Sequence, residues 1–152
     1  MTTPRTFRVK SSLADQMSRP GGRTVASALS AAGVALDDQR NAAMRNLADT
    51  LGQIQAVAAR RGEGDAARIY EGASTLLDIA GFFDTGPLYE AAYSLCEISD
   101  RMQAANRWHW PSVEVHIQTL TLILASGCCR TAASGALLDG LRAVCAAVTT
   151  DP

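Results

Sequence analysis

The sequence predicts an all-α protein, an antiparallel four-helix bundle with an additional helix at the C-terminal end. Three observations carry that prediction. Apolar residues recur at spacings of three and four through five long stretches. Glycine, proline and small polar residues punctuate the joins between those stretches. No segment alternates with period two for long enough to make a strand.

The organising stretch is 69–102, two amphipathic helices joined by Asp84-Thr85-Gly86-Pro87. Ile69, Ala73, Leu76, Leu77, Ala80 and Phe83 share one side of the first helix; Leu88, Ala91, Ala92, Leu95, Ile98 and Met102 share one side of the second. Pro87 suits a first helical turn, with Thr85 or Gly86 as the cap. So short a link forces antiparallel neighbours.

Ahead of the hairpin, residues 1–23 are polar, carry Arg5, Arg8 and Lys10, and end in Arg19-Pro20-Gly21-Gly22. They read as an extended or flexible arm, with Leu13 and Met17 spaced for one helical turn. Residues 24–150 read as a single helical domain. Thr24 caps a long helix whose stripe runs Val25, Leu29, Ala32, Leu36, Ala43, Leu47, Leu51, Ile54 and Ala58. Gly33 and Asp37-Asp38-Gln39 weaken its middle and predict a kink or break there. Gly62 and Gly64 end it, and Asp65 starts the next helix.

Beyond the hairpin, Trp108-His109-Trp110 forms a connection and Pro111 opens a fourth helix. Val113, Ile117, Leu120 and Leu124 share a face there, while Val115 and Leu122 point the other way, predicting cover on both sides. Ser126-Gly127 stops it, and a last helix from about Thr131 carries Leu137, Leu138, Leu141, Val144 and Val148.

At 152 residues, 47% hydrophobic and 19% charged, the chain suits one globular domain with a real core. A net charge of −1 gives no drive toward nucleic acid or anionic lipid. No window approaches the roughly 20 continuous apolar residues of a membrane span, and no signal-peptide core is present. These features predict a cytoplasmic protein whose four cysteines stay reduced. Cys96 and Cys145 read as small helix residues, and Cys128-Cys129 lacks a second pair at zinc spacing. No metal or other cofactor is expected.

The hairpin resembles the histidine phosphotransfer (HPt) domain, a four-helix bundle that passes phosphoryl groups between response-regulator receivers. Leu76 aligns with that family's motif leucine and Ala80 with its small residue; Phe83 takes the apolar position, and Leu88 and Leu95 take rungs of its leucine ladder. The register places Ser74 where the phosphorylated histidine belongs, Leu77 where the lysine belongs and Asp78 where a glycine belongs. A second likeness runs through Ile79-Ala80-Gly81-Phe82-Phe83, Glu90 to Cys96, Trp110-Pro111-Ser112-Val113 and Val115-His116, with the Pro-Gly-Gly ahead of the first helix. These runs are similar to small bacterial chemotaxis proteins of the CheE type. Together the resemblances imply an HPt-like bundle without its phosphoacceptor and a partner in two-component or chemotaxis signalling, a receiver domain or a histidine kinase.

Opposite the core stripe, Glu71, Ser74, Thr75, Asp78 and Phe82 form a continuous strip and are the candidate partner-binding residues. A serine of ordinary pKa cannot readily replace an imidazole nucleophile, and Asp78 would repel an incoming phosphoryl group. No catalytic residue is therefore assigned. Phe82 is either a docking anchor or an internal seam covered by the arm or last helix. His116 reads as a hydrogen-bonded histidine between helices, and His109 as part of a packed corner. The alternatives are phosphotransfer through His116, receiver dephosphorylation through Asp49 and Gln53, whose Asp-x-x-x-Gln spacing can position a water, or a homo-oligomeric helical adaptor.

Overall fold

The computed structural model describes residues 12–18, 20–83 and 85–150, the last two by backbone alone. Arg5, Arg8 and Lys10 of the expected arm lie outside the described residues, as do Arg19 and Asp84. Among the described residues the protein is all-helical, with six helices and no strand. They are α1 (Leu13–Met17), α2 (Val25–Arg60), α3 (Asp65–Phe82), α4 (Pro87–Ala104), α5 (Trp110–Ala125) and α6 (Ala132–Thr150). None is long and apolar enough to cross a membrane.

The chain divides into two compact units, Met1–Asp38 and Gln39–Pro152. In the first, α1 and the opening of α2 expose their apolar residues, among them Leu13, Met17, Val25, Leu29 and Leu36. This corrects the expectation of one continuous buried stripe along α2: burial starts at Ala43 and takes in Leu47, Leu51, Ile54 and Ala58. The helices that reach this part of α2, α3 through Gly72 against Ile54 and α5 through Thr121, which accepts from Gln55 Nε2 at 2.9 Å, belong to the second unit. The helical hydrogen-bonding pattern nonetheless passes unbroken through Gly33 and Asp37 to Gln39, so the local weakness there does not interrupt α2. Thr24 caps it as expected, its Oγ1 accepting the Ser27 N–H at 3.1 Å.

Within the second unit α4 packs against α3, α5 and α6, and α5 also against α6. Leu88, Ala91, Ala92, Leu95, Ile98 and Met102 of α4 are all buried, together with Ile69, Ala73, Leu76 and Ala80 of α3. The turn between these two helices uses both of its small residues. Gly86 caps α4 at φ 53°, ahead of Pro87 in the first turn. Thr85 faces the other way: its N–H and its hydroxyl both donate to the Ala80 carbonyl, at 3.3 and 3.1 Å, closing the end of α3. At the opposite end of α3, buried Asp65 accepts the Gly62 N–H at 2.8 Å and Arg60 Nη2 at 3.1 Å.

On α5 the faces of Val113, Ile117 and Leu120 and of Ser112, His116, Thr119 and Ile123 are buried. Val115 and Leu122 are 41% and 56% exposed, which corrects the expected cover on their side. The second covered face is instead the small and polar one, because α4 and α6 approach it. Thr131 and Ser134 cap α6 reciprocally: Thr131 Oγ1 accepts the Ser134 N–H at 3.1 Å and Ser134 Oγ accepts the Thr131 N–H at 2.8 Å.

Candidate functional site

The outer face of α3 is held firmly. Its two ends are closed by Asp65 and Thr85, and Gly72 lets α2 approach closely: a methyl group built there would lie 2.6 Å from Ile54 Cγ1. Rigid support of this kind suits an element that presents side chains to a partner.

Of the five candidate residues on this face, Glu71, Thr75, Asp78 and Phe82 are exposed and Ser74 is half-buried. Phe82 is 82% exposed, packed edge-on to Phe83 with ring centroids 5.0 Å apart and planes at 66°. Thr75 spends its hydroxyl on the Glu71 carbonyl at 3.0 Å. Asp78 and Phe82 come together in a shallow groove of about 360 Å³, whose far wall is Gln39, Ala42, Ala43 and Asn46 of α2. Glu71, Ser74 and Thr75 are not part of that groove. The polar α2 residues Gln39 and Asn46 are a contribution that the α3 periodicity could not reveal.

Asp78 also acts inward. Burial, and then the Asp78 carboxylate, push the Cys96 thiol of α4 up to about 11. Cys96 is therefore a protonated thiol at neutral pH and a poor nucleophile.

His116 is fully buried. Its Nδ1 lies 2.8 Å from the Ser112 carbonyl oxygen, which requires a proton on Nδ1, and so leaves Nε2 to accept from Ser94 Oγ at 3.0 Å. Cys145 Sγ stands 3.3 Å from Ser94 Oγ and 3.7 Å from His116 Nε2. Three helices thus meet in one polar knot. Burial lowers the pKa of His116 below its ordinary value, outweighing the Ser112 carbonyl that raises it. A neutral imidazole engaged at both nitrogens and closed to solvent is a poor phosphoryl acceptor. Ser94 and Cys145 are half-buried and line a cavity of about 480 Å³ between α4 and α6, together with Arg142 and Glu90. Sequence spacing placed His116 between helices; it gave no signal for either partner.

The remaining candidates are simpler. Asp49 and Gln53 are exposed one turn apart on α2, away from the core. His109 caps α5 at an exposed position, its Nδ1 2.7 Å from Ser112 Oγ, while Trp108 and Trp110 pack edge to face with centroids 5.6 Å apart. The four cysteines form no disulfide, and the described residues contain no cluster of three metal-ligating side chains. No protein-family model, no curated protein and no solved structure matches this chain.

Proposed function

We propose that the protein is a non-catalytic docking module of two-component or chemotaxis signalling. In this reading α2 to α5 form an HPt-like bundle, α6 is an addition to it, and α3 offers a receiver domain or histidine kinase the face of Glu71, Ser74, Thr75, Asp78 and Phe82. The observation that carries the reading is Phe82, an aromatic ring 82% exposed beside Asp78 on a rigidly held helix. An exposed aromatic of this kind gains most from being dried by a partner. The same face has Ser74 in place of an imidazole, and His116 is sealed in the core, so binding without phosphotransfer fits both. Occupying a receiver's docking surface would sequester it or bias its active state.

The test is a titration of the labelled protein against phosphorylated and unphosphorylated receivers, with the phosphoryl group followed in parallel. Saturable binding with the phosphoryl group unmoved is the expected result. Transfer to this protein, or accelerated loss from the receiver, would replace the docking reading with catalysis through His116 or through Asp49 and Gln53. Sedimentation showing self-association and no receiver binding would favour a homo-oligomeric adaptor.

A further inference from the structure

The opening of α2, from Val25 to Leu36, contains no charged side chain, in a chain that is 19% charged overall. Every residue from 20 to 41 is nonetheless exposed. A solvated helix face ordinarily carries charge, and a continuous apolar one marks a surface that a partner dries. Val25, Leu29, Ala32 and Leu36 follow one another at intervals of four, three and four residues, the spacing of a coiled-coil seam. Ala28 and Ala35 flank the seam on one side, Ala26 and Gly33 on the other. A methyl group built at Gly33 meets nothing within 4 Å among the described residues, so no packing within this chain requires a glycine there. Small flanking residues of this kind let a second helix approach closely.

We propose that this face of α2 is the interface of an antiparallel homodimer. The ends of the uncharged run select a second copy as the partner: Arg23 precedes it, and Asp37 and Asp38 follow it. A two-fold axis between Ser30 and Ala31 sets Val25 against Leu36 and Leu29 against Ala32 of the second copy, so each large side chain of the seam meets a seam residue. The same register brings Arg23 level with Asp38, and Thr24 level with Asp37. At both ends two carboxylates then meet a guanidinium and the positive end of the other helix. A parallel pair would set like charges together instead. Val25, Leu29 and Leu36 offer roughly 250 Å² of apolar side chain per copy and the flanking alanines about as much again, so the pair closes on the order of 1,000 Å². Specific interfaces begin near that size, which makes the dimer reversible and weak. The seam shares no residue with the α3 face and does not depend on the docking reading.

Sedimentation equilibrium of the full chain, 16.0 kDa as a monomer, should show a monomer–dimer equilibrium at low salt with a Kd of ~10–100 μM. Leu29 is 68% exposed, so Leu29→Glu should raise that Kd more than about tenfold and leave the melting temperature in dilute solution unchanged. Val34 is 62% exposed on the opposite side of the helix, and Val34→Glu should leave the Kd within about twofold. Arg23→Glu should weaken the dimer about fivefold, and adding Asp37→Arg and Asp38→Arg should restore it, because the end pairs re-form with their signs reversed. A monomer at every concentration up to about 500 μM, or a dimer indifferent to Leu29→Glu, would overturn the proposal. So would equal disruption by Val34→Glu, which would mean unspecific association, or failure of the combined charge reversal, which would exclude the antiparallel register. A monomer whose melting temperature falls with Leu29→Glu would mean that the chain's own residues close the seam, and would overturn it as well.

Discussion

Replacing Phe82 by alanine separates an anchor from a structural residue, and the structure sets the size of both effects. A phenylalanine ring can bury roughly 200 Å². At 82% exposure about a fifth of that, ~40 Å², is covered in the free protein. At ~25 cal/mol per Å² the ring contributes about 1 kcal/mol to folding, including its contact with Phe83. Alanine recovers several tenths of this through helix propensity, leaving a loss of about 0.5 kcal/mol and a melting shift of about 1–2 °C. In a complex the remaining ~160 Å² can be dried, an upper limit near 4 kcal/mol, of which a central anchor typically returns about 2 or more. Phe82→Ala should therefore raise the Kd for a receiver by about 30-fold while barely moving the melt. Calorimetric titration and thermal unfolding by circular dichroism on the same sample read both quantities. A fall of more than about 5 °C in Tm with unchanged binding by the folded fraction would refute the reasoning.

Three further outcomes follow from buried groups. His116 is held neutral by burial, while the unfolded chain takes up a proton near pH 6.5. Its contribution is complete above that pH and is lost as the pH falls toward the lowered folded value, so urea stability should drop on that acid side. His116→Gln should flatten the drop relative to wild type in urea titrations at a series of pH values, and an unchanged slope would show that another group governs it. Ser99 Oγ is buried without a hydrogen bond among the described residues, so Ser99→Ala should raise stability by about 1 kcal/mol in urea unfolding, and a loss would mean that the hydroxyl is paired. Gly72→Ala should gain about 1 kcal/mol of helix propensity but lose more to the 2.6 Å approach of Ile54, itself 2% exposed, for a net loss of about 1–2 kcal/mol; a higher urea midpoint would show that Ile54 yields.

Much of the candidate face was legible in the residues because helical spacing determines direction. Once 69–83 is a helix whose Leu76 and Ala80 face inward, Thr75, Asp78 and Phe82 must face outward, and they do. Local end signals were equally direct at Thr24, Pro87 and Gly127. The stripe along α2 misled in its first half because periodicity reports only that a side can be buried. Whether Leu29 or Leu47 is dry depends on which helices stand opposite, and those are set elsewhere in the chain.

What the sequence determined alone is therefore the set of helices, most of their ends and the inward or outward sense of α3 and α4. Each depends on interactions within one helical turn or on the solvent preference of single side chains. Tertiary structure decided what lies between helices. Ser94, His116 and Cys145 are separated by 22 and 29 residues and meet only because α5 and α6 both pack on α4. Gln39 and Asn46 join Asp78 and Phe82 because α2 lies against α3, a pairing that no spacing within either helix encodes.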